Sequence, residues 1–317
     1  MEAPHSAAVA TFWFEGLKLS YAVHGSGPRV FVLTHGLLMN QGMYTHLAPE
    51  IARHGNRVVT LDLLGHGGSD QPRDPTAYSM TRFGRQAIAL LDHLDLGEAV
   101  IGGTSLGANV TLEAAVLAPD RVRAMVVEMP VLENALIAVG ALFIPLALSI
   151  RLNRRGMDVL AAAARRVPRT HYLADVLLDW IRRDPRVSLR VLEGLLSGRI
   201  APAPAERRTL DQPALVIGHR NDPLHPFNDA EILTRELPNA HFVSANSILE
   251  WRLAPARLDG ILARFLDEMW NKPVASLKSR RTSAVRLPRD AEGGRNARSP
   301  RASRTAGRAR PRARGKA

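Results

Sequence analysis

Gly103-Thr104-Ser105-Leu106-Gly107 has the form G-x-S-x-G. It follows Ala99-Val100-Ile101-Gly102 and opens a helical pattern at Gly107-Ala108. A strand, a sharp turn and a helix in that order lift a serine Oγ to the tip of a sheet, where a carbonyl carbon can reach it. The turn must be tight, which is why small residues flank Ser105. The competing reading is an ordinary glycine-rich strand-to-helix turn.

Outward from this motif, apolar runs alternate with helical periodicity. Thr11 to Phe14 and Leu17 to Val23 alternate like a hairpin that turns at Glu15-Gly16. Arg29 to Thr34, Arg57 to Leu61 and Val122 to Met129 are apolar, β-branched runs of buried-strand type. Met43 to His54 and the segment after Tyr78-Ser79 are expected helices. In the second, Phe83, Ala87, Leu90, Leu91 and Leu94 recur at helical spacing. Late strands are expected at Ala214 to Gly218 and His241 to Ser244, followed by a helix bearing Leu258, Ile261, Leu262, Phe265 and Met269. The alternation predicts an α/β fold with a mostly parallel sheet and helices on both faces. Residues 131–207 break it with helical patterns alone and read as an inserted helical lid (cap) over the carboxyl edge of the sheet, where open α/β folds bind ligands. The core is then 1–130 and 208–272. A helical subdomain with no part in binding is the other reading of the insertion.

Charge is distributed unevenly. Residues 273–317 hold 14 Lys+Arg and 2 Asp+Glu, which leaves 28 basic and 28 acidic residues in 1–272. The body is neutral and the net charge of +12 belongs to a tail. That tail, rich in Arg, Ala, Pro, Ser and Gly, has almost no bulky apolar residues and is expected to be disordered. It could touch anionic surfaces; without interleaved aromatics it offers no base stacking, so no specific nucleic acid is expected as a partner. The chain contains no cysteine, which excludes disulfides and thiolate chemistry and fits a cytoplasmic location. No secretory signal pattern follows Met1. Ala135 to Ile150, 16 uncharged residues interrupted by Pro145, is short of the roughly 20 needed to span a bilayer and is expected as a buried or pocket-lining helix.

Four motifs in order resemble the α/β-hydrolase superfamily, in its serine-nucleophile branch. Thr34-His35-Gly36-Leu37 is similar to the oxyanion loop, and Asp62-Leu63-Leu64-Gly65-His66-Gly67-Gly68-Ser69 to the D-x-x-G-x-G-x-S loop. Ser105 matches the nucleophile. Gly218-His219-Arg220-Asn221-Asp222 resembles the strand-end loop that carries the acid. The resemblance implies an α/β-hydrolase fold over roughly 11–269 and acyl chemistry without cofactor or metal. Ser105 would attack, the N–H groups of Leu106 and Leu37 would form the oxyanion hole, and Asp222 would orient an imidazole. Glu128 is a weaker alternative acid, and a turn or helix-capping role is the other reading of Asp222.

The family's histidine stands in a loop after the last strand. Here that segment reads Ser247-Ile248-Leu249-Glu250-Trp251-Arg252, with Ile248 at the histidine position and no histidine after His241. A serine hydroxyl without a base is a poor nucleophile. His225, three residues after Asp222, is the candidate base; His35, His66 and His219 also lie near the sheet edge. For each, a turn histidine bonded to backbone is the competing reading. Glu250 and Arg252 would be solvated surface charges or a local pair on one extended face. Two functions are therefore expected in competition: a serine hydrolase of esterase or lipase type acting on a lipophilic small molecule, or an impaired hydrolase-fold protein that binds an apolar ligand without turnover. The serine argues against dehalogenase and epoxide-hydrolase chemistry, whose attacking group in this fold is an aspartate; haloperoxidase-like and carbon–carbon-cleaving chemistry stay open.

Overall fold

The computed structural model describes residues 8–169 and 172–272; the expected tail, 273–317, lies outside them. The hairpin forms as expected. β1 (Ala8–Phe14) and β2 (Leu17–His24) pair antiparallel, and Glu15 and Gly16 both take positive φ in the two-residue turn. β3 (Val30–Thr34) and β4 (Arg57–Asp62) follow, then β5 (Ala99–Thr104), β6 (Val122–Glu128), β7 (Ala214–His219) and β8 (Ala240–Ala245). The sheet order is β1-β2-β4-β3-β5-β6-β7-β8. β2 is antiparallel to β1 and β4, and every other neighbouring pair is parallel. Every residue of β3, β5, β6 and β7 is buried, so both faces of each strand must be apolar or internally bonded, and this produces their continuous apolar runs.

Helices cover both faces. α1 (Leu47–Arg53) packs on one side with Phe31, Val58, Val100 and Ile217. α2 (Met80–His93) and α3 (Leu106–Leu117) pack on the other with Val32, Val59, Ile101 and Val216. Ser79 caps α2 by accepting from the Arg82 N–H at 3.2 Å. The expected helix from Met43 is shorter than its pattern suggests: Gln41–Tyr44 form a 3₁₀ turn and α1 begins only at Leu47. Pro49 explains the break. Its ring would clash with the Thr45 carbonyl in a continuous helix, but it is tolerated in a first turn.

Among the described residues five helices stand between β6 and β7: α4 (Ala135–Leu152), α5 (Arg154–Arg166), α6 (Tyr172–Arg182), α7 (Pro185–Leu196) and α8 (Pro204–Arg207). After β7 come α9 (Phe227–Glu236), β8, the short α10 (Glu250–Leu253) and α11 (Ala256–Asn271). α11 joins α1 on its face of the sheet. Buried polar staples tie the insertion to the core at both ends. The Asn109 amide, on α3, donates to the carbonyls of Val131 and Ile200, each at 2.8 Å, and accepts from the Val131 N–H at 3.1 Å. Asp229, on α9, accepts from the N–H groups of Leu132 at 2.9 Å and Ala135 at 3.0 Å. Expectation and structure part at α4. Only Ala135, Phe143 and Ile150 are buried in it, so the expectation of a buried helix is corrected, while pocket lining holds for Val139 and Phe143. The physical reason is that α4 packs inward along one side only.

Among the described glycines, Gly107 has the least room for a side chain. A Cβ there would lie 1.9 Å from the Thr34 carbonyl oxygen. Gly107→Ala is expected to cost about 3 kcal/mol or more in urea denaturation. Gly97→Ala, at a position that faces open space, is expected to change stability by less than about 1 kcal/mol.

Candidate active site

The elbow is built by backbone strain. Ser105 takes φ 56° and ψ −110°, a sparsely populated region that costs about 1–3 kcal/mol and persists only where its surroundings enforce it. Here the enforcement is packing and bonding. A Cβ on Gly103 would meet the Thr34 oxygen at 2.4 Å and the Gly107 carbonyl carbon at 2.5 Å. The Ser105 N–H donates to the Glu128 carbonyl at 2.9 Å, and the Ser105 carbonyl accepts from Asn109 N at 3.1 Å.

The structure brings Ser105, Asp222 and His225 together. His225 Nε2 lies 2.8 Å from Ser105 Oγ, and its Nδ1 lies 2.9 Å from Asp222 Oδ2. A carboxylate at Nδ1 fixes the N–H there, which leaves the Nε2 lone pair to accept the serine proton. The loop is short. Asn221 takes φ 58°, Asp222 Oδ1 accepts from the N–H groups of Leu224 and His225 at 2.8 and 3.0 Å, and Pro223 and Pro226 restrict the chain on either side. Thus Asp222 both caps its own turn and holds the imidazole. Burial pushes Asp222 up, but the His225 ring and the two amides outweigh it and hold the carboxyl below its ordinary value. The side chain of Asp222 is fully buried and that of His225 is 11% exposed.

Leu37 and Leu106 line the same cavity as Ser105. Their N–H groups make no hydrogen bond among the described residues; that of Leu106 is one of the first-turn donors a helix leaves unpaired. The Leu37 loop is held from above and below. Trp180 Nε1 donates to the Leu37 carbonyl at 2.9 Å, and the Leu38 N–H donates to His66 Nε2 at 3.2 Å. His35 and His66 are thereby placed as structural residues. Each has Nδ1 at 2.9 Å from a backbone carbonyl and accepts a backbone N–H at Nε2. Burial lowers His35 to about 4 and His66 well below its usual value, so both rings are neutral. The cavity holds about 540 Å³ of empty space, part of it open to solvent, and its walls come from Met80, Val139, Phe143, Leu192, Leu195 and Ile200.

Glu128 is not the acid of this group. Its carboxylate meets Arg252 Nη2 at 3.0 Å, the Thr104 hydroxyl, and His219 Nε2 at 3.1 Å. His219 Nδ1 also lies 2.9 Å from the Ser247 carbonyl. Burial pulls His219 down, but the Glu128 carboxylate and the Ser247 carbonyl outweigh it and raise the ring above its ordinary value. Burial would raise Glu128, but Arg252, His219 and Thr104 bring it down to about 2. Arg252 and Glu250 are therefore neither solvated nor paired with one another. α10 turns them apart, and Glu250 binds Arg257 at 2.6 Å instead. Sequence reasoning missed this cluster because Glu128 and Arg252 are 124 positions apart. Trp180 and Asn109 were missed as well; a tryptophan on a helical face gives no hint of which carbonyl its N–H will find. Ile248, at the family's histidine position, is 38% exposed.

A model of the α/β-hydrolase fold family matches residues 29–154. Over 110 residues the chain is 32% identical to bifunctional epoxide hydrolase 2 of Sus scrofa, a stretch that is 35% of this chain and 20% of that protein. The chain spans less than two fifths of the length of the curated relatives it matches. Among solved structures, a hydrolase from Pseudomonas aeruginosa superposes with a TM-score of 0.66 at 21% identity, covering 81% of this chain and 98% of that one. The enol-lactonase of Burkholderia xenovorans gives 0.64 at 22% identity, covering 83% and 100%. With the sheet order, these likenesses show that the chain has the α/β-hydrolase fold.

The buried charge cluster yields a stability prediction. Glu128 is depressed, so its contribution is present above about pH 4.5 and lost as pH falls toward 2. His219 is raised, so its contribution is present below about 6.5 and lost as pH rises through its folded value. At pH 6, Arg252→Met is expected to cost about 3–5 kcal/mol in urea denaturation, because one of the two cations facing a buried carboxylate is removed. Adding Glu128→Gln should restore much of that loss; an equal loss in the double variant would show that the two are not coupled.

Proposed function

We propose that the protein is a serine hydrolase that cleaves a carboxylic ester or related acyl compound of lipophilic character. One observation carries this reading: an imidazole nitrogen 2.8 Å from Ser105 Oγ whose other nitrogen is 2.9 Å from a buried carboxylate. Ile248 at the histidine position favours a binder without turnover; the place of His225, supplied by the preceding strand's loop, supports turnover instead.

In this mechanism Ser105 Oγ attacks the acyl carbon as its proton passes to His225 Nε2. Asp222 orients the ring and stabilises the imidazolium without taking the proton. The tetrahedral oxyanion accepts from the N–H groups of Leu106 and Leu37, donors that need no reorganisation at that moment. His225 then returns the proton to the leaving alkoxide, and an acyl-serine remains. Water, deprotonated by the same ring, attacks the acyl-serine and releases the carboxylic acid and Ser105. The apolar walls of Val139, Phe143, Leu192 and Leu195 favour aliphatic or aromatic groups over sugars or peptides. The helical insertion acts here as the lid of the site. A serine rather than an aspartate at the elbow supports acyl transfer over the epoxide opening named for one relative.

Treatment with a fluorophosphonate probe is expected to label the wild-type protein at Ser105 and to leave Ser105→Ala unlabelled. On an aryl ester, Ser105→Ala and His225→Ala should each lower kcat by about 10⁴–10⁶, and Asp222→Asn by about 10⁴. Labelling or turnover that survives Ser105→Ala would refute the assignment, and unchanged turnover in His225→Ala would return the base to an unknown group.

A further inference from the structure

α4 is apolar on two opposite sides. Its inner stripe, Val139, Phe143 and Ile150, faces the cavity and the core. Its outer stripe runs Ile137, Ile144, Leu148 and Leu152, at i, i+7, i+11 and i+15, with exposures of 85, 50, 50 and 83%. Mean hydropathy over its 18 residues is 2.2, and only 17% of that window is buried. A helix that is hydrophobic all round normally has apolar surroundings on every side; this one has them on one side only. The charge beside it is mostly positive: residues 135–169 contain six arginines against one aspartate. Arg151, Arg154 and Arg169 approach Glu193, Asp158 and Asp179, while Arg155 and Arg166 make no ion pair among the described residues. Arg151, Arg154, Arg155 and Arg166 are all exposed. On α5, Arg155, Val159 and Arg166 recur at helical spacing, and Val159 is 69% exposed.

We propose that the outer face of α4 and α5 docks in the plane of an anionic lipid bilayer, with the aliphatic stripe in the acyl boundary and the arginines at the headgroups. The helix would lie in the interface rather than across it, because Val139 and Phe143 on its other side stay packed against the core; only the outer stripe would sink into the acyl boundary. Charge selects this occupant over a second copy of the chain. A two-fold pairing of the face would set Arg155 and Arg166 near the same arginines of the second copy, whereas anionic headgroups complement them. Docking also has a geometric consequence. The opposite side of α4 forms a wall of the cavity beside Ser105, so an apolar molecule leaving the bilayer under α4 has one helix to pass. The docking itself does not depend on the chemistry at Ser105.

The test is flotation of the full chain with vesicles of phosphatidylcholine alone and of phosphatidylcholine mixed with phosphatidylglycerol. Binding is expected to the mixed vesicles and to weaken with salt. Ile137→Asp/Leu148→Asp, on the solvent side away from the cavity, should reduce it at least about tenfold with an unchanged thermal melt. Arg155→Glu/Arg166→Glu should reduce it as well and flatten the salt dependence. Absence of binding by the wild type overturns the proposal. So does binding that the aspartate pair leaves intact, since the Arg-rich residues 273–317 would then carry it. A dimer in light scattering that the aspartate pair dissociates would overturn it in favour of a second copy.

Discussion

The close approach of α3 to the end of β3 sets the geometry of everything at the sheet edge. Gly107 lies against the Thr34 carbonyl with no room for a side-chain carbon. The Thr34 hydroxyl lies 3.3 Å from the Gly102 carbonyl and 3.1 Å from that of Gly107, and the Tyr44 hydroxyl donates to the Thr34 carbonyl at 2.8 Å. One residue thus ties β3 to both sides of the turn that carries Ser105. The consequence reaches beyond the serine. His35, Gly36 and Leu37 follow Thr34 directly, so the contact that strains Ser105 into its unusual backbone geometry also fixes where the Leu37 amide stands relative to its hydroxyl. The Ser105 hydroxyl and the Leu37 N–H share a single mechanical support.

The imidazole comes from an unusual place. In the family pattern the acid and the base arrive on loops after different strands, and their distance depends on how two loops settle. Here Asp222 and His225 are three residues apart in one proline-flanked turn. The loop to be ordered is short, and its amides bond to the same carboxylate that grips the ring, so little conformational freedom is left to lose when the pair forms. The segment after β8 carries no histidine and serves another purpose. It supplies Arg252, which neutralises Glu128, the residue whose backbone carbonyl receives the Ser105 N–H. That segment still supports the elbow, but through a buried ion pair rather than an imidazole.

Much of the fold was legible because burial on two faces leaves an unmistakable trace. β3 and β6 read as uninterrupted apolar runs, and α2 shows its packed face at helical spacing with a serine cap at the expected position. The local parts of the site were legible for a similar reason: the elbow and the Asp222–His225 spacing are short-range patterns, and short-range patterns survive in one dimension. Two kinds of feature were not. Pro49 shortens α1 through a clash with a carbonyl four residues back, which hydrophobic periodicity does not register. Glu128, His219 and Arg252 come from β6, β7 and α10, so their partnership exists only once the sheet has assembled. A charged residue in an apolar run marks such a cluster without naming its partners. The exposure of α4 was hidden in the same way, since its composition describes a helix that avoids water and says nothing of whether a second layer covers it.

That composition poses a question of stability against function. The insertion is tied to the core by Asn109 and Asp229 and, through α6, by Tyr172 and Trp180, while α4 walls the cavity only with its inner side chains. Folding requires only that inner stripe. An outer stripe of serines, glutamates and lysines would pack no worse against the core and would remove an exposed apolar surface of the kind that invites association. Pro145 on the same helix lacks an N–H and leaves the Ala141 carbonyl without its helical partner, which weakens the helix further. A wall that is apolar outside, carries a proline in the middle and is fastened by buried polar bonds where it begins is poorly explained by the demands of the folded state in water. It is well explained if its outer surface meets a second apolar phase and its inner surface must open to let an apolar molecule through.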